Sequence, residues 1–74
     1  MYGKRLREAR TKAGMTLEHV AQIMNTTHVT ISRYENEKRK ADPDTLTAFC
    51  RLYCVSADYI LGLPEGLPYP KNGK

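Results

Sequence analysis

Between Thr27 and Glu35 stand four residues whose side chains suit a hydrogen-bonding surface: His28, Val29, Ser32 and Arg33. Their spacing puts them on one side of a helix, because positions three and four apart share a face. Ile31 and Tyr34 fall on the other side, as the apolar inward candidates. His28 can donate to a purine N7, or to a phosphate once protonated. Arg33 can bond guanine O6 and N7 together, and Val29 can pack on a thymine methyl. Such a face suits the major groove of a duplex, where base edges offer acceptors, donors and that methyl group.

Other chemistry finds little support. His19 and His28 are separated by a helix boundary and lack a nearby Ser or Cys nucleophile, so no catalytic constellation is expected and the chain is not read as an enzyme. Cys50 and Cys54 share a helix face, but two thiols without further His or Cys do not make a tetrahedral zinc site. Core packing is the favoured reading for them, with redox sensing and metal binding as alternatives. A disulfide within one helix is not expected. There is no glycine-rich phosphate loop and no internal repeat, and neither a cofactor nor a metal is expected.

The reading face must be held by what precedes it. Thr16 is a natural N-cap, and Leu17, Val20, Ala21 and Met24 recur behind it at helical spacing. Asn25 stands where a left-handed residue would end that helix, and Asn tolerates positive φ better than other non-glycine residues. Thr27 then caps the helix that carries the face. Residues 16–35 thus read as two short helices joined by a tight turn. Both threonines sit at helix N-termini, where unpaired N–H groups and the helix dipole favour phosphate.

An earlier helix is expected from about Gly3 to Ala13, with Tyr2, Leu6, Ala9 and Ala13 on its inner stripe and Gly14 as its left-handed cap. Lys4, Arg5, Glu8 and Lys12 form its solvated face. Asp42-Pro43 starts a fourth helix, with Asp as cap and Pro at the first position, where its missing N–H costs nothing. Leu46, Phe49, Cys50 and Tyr53 face inward from it. Ser56 caps a fifth helix containing Tyr59, Ile60 and Leu61, which Gly62 and Pro64 stop. The remaining PEGLPYPKNGK carries three prolines and two glycines without periodicity and is expected to be a flexible tail. The division is a domain over 1–63 and a tail over 64–74, and the fold class is all-α, a compact bundle of about five short helices.

With 74 residues, the chain lies near the size below which one core no longer suffices, so an oligomer or ligand would help. Twelve Lys and Arg against eight Asp and Glu leave +4 at pH 7. Most of the cations precede residue 41, which makes the N-terminal part the polyanion-facing part. The start is interrupted by Lys4, Arg5 and Arg7, and no apolar run approaches a membrane span. A cytoplasmic location without membrane contact is therefore expected.

The order of residues in TLEHVAQIMNTTHVTISRYE resembles the helix-turn-helix of the lambda-type phage repressors and Cro proteins, the family often named for the xenobiotic response element. The resemblance runs from about Lys4 to Gly62. It implies a lambda repressor-like bundle whose third helix enters the major groove, with Thr27, His28, Val29, Ser32 and Arg33 at base edges or the adjacent backbone. It also implies phosphate contacts from Thr16 and from Asn36, Lys38, Arg39 and Lys40 in the loop beyond, and a buried ion pair between Arg10 and Glu35.

The chain departs from the family pattern at several places. Leu17 replaces the usual Gln, Glu37 the usual loop Gly, Ala41 the usual Pro, and Cys54 the usual helix-ending Gly, while Cys50 stands for a small buried Ala. The implied function is a transcriptional regulator, most often a repressor, bound as a homodimer to a double-stranded operator. A protein-interaction module of the antitoxin or anti-repressor kind is the alternative, with Ile23 and Leu17 as an exposed apolar patch and a protein regulator as partner.

Overall fold

A computed structural model describes residues 2–63. The tail expected over 64–74 lies outside the described residues. Five helices follow one another: α1 Tyr2–Lys12, α2 Leu17–Ile23, α3 His28–Glu35, α4 Pro43–Tyr53 and α5 Ala57–Leu61. Among the described residues there is no strand, and no helix is long and apolar enough to cross a membrane.

Four of the helices start on a capping side chain of the type expected. Thr16, Thr27, Asp42 and Ser56 accept the backbone N–H groups of His19, Thr30, Thr45 and Tyr59, which removes one orphan donor from each helix start. Gly14 and Gly62 end α1 and α5 in the left-handed region at φ +72° and +76°. At the corresponding points after α2, α3 and α4 stand Asn25, Glu37 and Cys54, with φ of +57°, +61° and +57°. The backbone therefore keeps the turn that glycine normally serves, at a steric cost of about 1 kcal/mol for each side chain placed there.

The core is Leu6, Ala9, Val20, Ala21, Ile31, Tyr34, Phe49, Tyr53 and Ile60, drawn from all five helices. Phe49 is its centre, edge-on to Tyr34 with ring centroids 5.5 Å apart and stacked on Tyr53 at 5.8 Å. Helix α1 runs behind the others and touches α3, α4 and α5, while α3 also packs on α2. Arg5 ties α1 to α5, donating to the Tyr59 carbonyl at 3.2 Å with its guanidinium over the Tyr59 ring.

Three expectations need correction, the first being that Cys54, read with Cys50 as core packing, is exposed because it forms the left-handed turn that ends α4. Ala13 is exposed, because α1 ends at Lys12 and the Gly14 turn carries Ala13 off the inner stripe. Leu17 is half-buried against the core instead of forming an open patch with Ile23, so Ile23 alone is the exposed apolar residue of α2. Cys50 is half-buried against the core, and burial pushes its thiol pKa up, which keeps it in the unreactive protonated form.

Candidate nucleic-acid interface

Helix α3 is amphipathic in an unusual sense, since its outward face is polar but not merely charged. Ile31, Tyr34 and Glu35 are buried, whereas His28, Val29 and Arg33 are exposed beside a half-buried Ser32. These four outward residues line an open groove of about 580 Å³, together with Leu17 of α2 and with Asn36 and Lys38 beyond α3. Donors from Arg33 and His28, a hydroxyl from Ser32 and the Val29 methyls are thus presented side by side.

Thr27 is less free than its neighbours. Its hydroxyl accepts the Thr30 N–H at 3.3 Å and lies 3.1 Å from the Thr30 hydroxyl. Its hydroxyl is therefore engaged within the start of α3. Thr16 is engaged in the same way with the His19 N–H at 3.0 Å. Asn36 donates its side-chain amide to the Ser32 carbonyl at 3.0 Å and to the Ser32 hydroxyl at 3.1 Å. That contact orients the Ser32 hydroxyl on the outward face of α3.

The three cations after α3 divide between two places. Lys38 lines the groove with Arg33, whereas Arg39 and Lys40 line a separate recess with Tyr2 and Glu37. Arg39 also lies over the Tyr34 ring, 5.4 Å from its centroid. All three are exposed.

Behind the face, Arg10 meets Glu35 in a two-point pair: Nε to Oε2 at 2.7 Å and Nη2 to Oε1 at 3.2 Å. The hydrogen bonding to Glu35 is the main reason that the Arg10 pKa is raised, burial working against it. Arg10 Nη1 donates in addition to the Met15 carbonyl at 2.9 Å, so one guanidinium ties together the end of α3 and the turn before α2. The Glu35 carboxylate has a second cation nearby, Arg7, at 3.7 Å and largely in solvent.

Some contacts had no sequence signal. The Tyr2 hydroxyl accepts the Ala41 N–H at 2.8 Å, joining two residues 39 apart. Gly3 packs so closely on the end of α3 that a Cβ there would lie 2.5 Å from the Glu35 carbonyl oxygen. Neither follows from periodicity, because both depend on how α1 crosses α3.

The helix-turn-helix domain family matches residues 2–60. This chain belongs to that family. In this helix-turn-helix DNA-binding domain α2 and α3 are the two named helices, and the resemblance to lambda-type repressors agrees with the five-helix bundle around them.

Relatives in Bacillus subtilis (strain 168) carry the same domain. The HTH-type transcriptional regulator ImmR is 48% identical over 63 residues, covering 85% of this chain and 50% of that protein. The uncharacterized HTH-type transcriptional regulator YobD is 41% identical over 71 residues, 96% of this chain and 62% of its own length. The SPbeta prophage-derived uncharacterized HTH-type transcriptional regulator YonR is 33% identical over 61 residues, 82% of this chain and 56% of its own. The chain thus spans between 50% and 62% of the curated relatives it matches.

Proposed function

We propose that the chain is the reading domain of a transcriptional regulator, a cytoplasmic repressor that binds a near-palindromic operator in double-stranded DNA as a homodimer. The observation that carries this reading is the outward face of α3, on which Arg33, His28, Ser32 and Val29 stand together while Ile31, Tyr34 and Glu35 anchor its back. Base edges would be met by Thr27, His28, Val29, Ser32 and Arg33, and phosphates by Thr16, Asn36, Lys38, Arg39 and Lys40. The relatives named as transcriptional regulators support the same reading. It involves no catalytic step and no cofactor.

Two-fold symmetry enters because one short recognition helix spans only a few base pairs, too few for useful discrimination in a genome. Selection of bound duplexes from a random pool tests the whole proposal. The expected product is a near-palindrome with half-sites about 10 base pairs apart, centre to centre. A single asymmetric site bound by monomer would refute the dimer, and no enrichment at all would refute the reading.

A second reading is a protein-interaction module of the antitoxin or anti-repressor kind, with a protein regulator as its partner. Ile23 supports it, being 51% exposed beside a shallow groove between α2 and α4. Failure to bind random duplex even at low salt would favour this second reading.

A further inference from the structure

The loop between α3 and α4 is pinned at both ends, and the far pin comes from the start of the chain. At the near end the Lys38 N–H donates to the Arg33 carbonyl at 2.8 Å, and Glu37 takes the left-handed turn. At the far end the Tyr2 hydroxyl accepts the Ala41 N–H at 2.8 Å in a part-buried contact. Arg39 and Lys40 stand between these points, exposed, in the recess that Tyr2 and Glu37 also line.

A short polar loop has little of its own to hold it in one path, and ordering it costs backbone entropy. If the loop is ordered only when DNA arrives, the cost is subtracted from the affinity; if it is ordered beforehand, it is not. The Tyr2 hydroxyl is placed to do this ordering. Phenylalanine at position 2 would keep the ring against the core but leave the Ala41 N–H without its acceptor.

We propose that the Tyr2 hydroxyl is a positioning group for the DNA-binding surface: by holding the Ala41 N–H it fixes the path of residues 38–40 and sets the sequence-independent share of the affinity. The inference rests on the reading of this loop as phosphate-facing. Tyr2 touches no nucleotide in it and acts only through the backbone of Ala41.

Tyr2→Phe tests it with readings from protein and from DNA. In the free protein the Ala41 amide exchanges with solvent about tenfold faster in the variant, in line with the removal of one ordinary hydrogen bond. Affinity for the selected operator and for random duplex falls by the same factor, about three- to tenfold, with base preference retained. The salt dependence keeps its slope, because the bound loop still reaches the same phosphates and only the cost of ordering it has moved into the binding step; a shallower slope would mean that contacts are lost and would overturn this account. In an Ala41→Pro background, which has no N–H to hold, Tyr2→Phe has no further effect on affinity.

Unchanged affinity, a loss confined to the operator, or a loss that persists with Pro at position 41 overturns the positioning role. If the unmodified protein binds neither duplex, the DNA reading itself falls and this inference with it, a failure recognisable before any substitution is made.

Discussion

The carboxylate of Glu35, at the last position of the recognition helix, is gripped by Arg10 through two hydrogen bonds of 2.7 and 3.2 Å, with the two side chains 3% and 15% exposed. Removing Arg10 leaves the buried Glu35 with only the solvent-exposed Arg7 at 3.7 Å, and removing Glu35 leaves the half-buried Arg10 with only the Met15 carbonyl, so either change to Ala is expected to cost about 3 kcal/mol. Replacing both by well-packed apolar residues should cost less than either single change. Denaturant unfolding of the four proteins in a double-mutant cycle measures the coupling, and additive losses would contradict it. Arg7, whose side chain is 60% exposed, should couple to Glu35 by only a few tenths of a kcal/mol.

Arg33 and Lys40 are predicted to fail differently. Arg33 lines the groove on the outward face of α3, and Arg33→Ala should weaken the best operator by about 1 to 3 kcal/mol while flattening the preference at one base pair per half-site. Lys40→Ala should weaken operator and random duplex alike and make the salt slope shallower by nearly one for each phosphate no longer neutralised. Titrations on operator, single-base variants and random duplex across a salt series distinguish them. Uniform weakening in Arg33→Ala would mean that the reading face lies elsewhere.

Asp42 predicts a pH dependence. Its carboxylate accepts the Thr45 N–H at 2.7 Å, and that backbone hydrogen bond, helped by the Thr45 hydroxyl, holds its pKa below the ordinary 3.8. A depressed folded pKa gives stability that is fully present above 3.8 and is lost as pH falls through the lower folded value. Asp42→Asn, which can still cap but cannot titrate, should therefore lose less stability than the parent over that acid range. Thermal unfolding from neutral pH down to about pH 2 follows it, and identical acid limbs would show that Asp42 contributes nothing there.

Gly3→Ala should destabilise although it sits in a helix, where alanine is normally favoured by up to about 1 kcal/mol. The added Cβ would meet the Glu35 carbonyl oxygen at 2.5 Å, and backbone cannot step aside as a flexible side chain can. A destabilisation of about 1 to 3 kcal/mol is expected, by the mechanism of overpacking. A more stable Gly3→Ala protein would mean that α1 can withdraw from α3 freely.

What is legible in the sequence is what is local. The caps at Thr16, Thr27, Asp42 and Ser56 each join residues three apart, so the residue type and its place before an apolar run suffice. The outward and inward sides of α3 follow from periodicity in the same way. Periodicity overreaches at Ala13, because it carries the stripe one residue past the point where the Gly14 turn leaves the helix. It places Leu17 correctly on the inner stripe of α2, whereas comparison with the family counterpart puts Leu17 wrongly in an exposed patch. The Tyr2 to Ala41 bond and the close fit of Gly3 carry no local pattern, since both arise from the crossing of α1 over the end of α3. The Arg10 and Glu35 contact, 25 residues apart, is legible through the family resemblance and not through spacing.

The two helices of the reading unit, α2 and α3, have only seven and eight residues. Helices shorter than about 12 residues do not persist alone in water, because nucleation consumes most of what so few hydrogen bonds return. A peptide of residues 16–36 should accordingly be a coil, and grafting it onto a foreign scaffold would transfer its letters without its shape. The portable unit is the entire bundle: side chains on α3 can be exchanged in place, but the two helices cannot be cut out and moved.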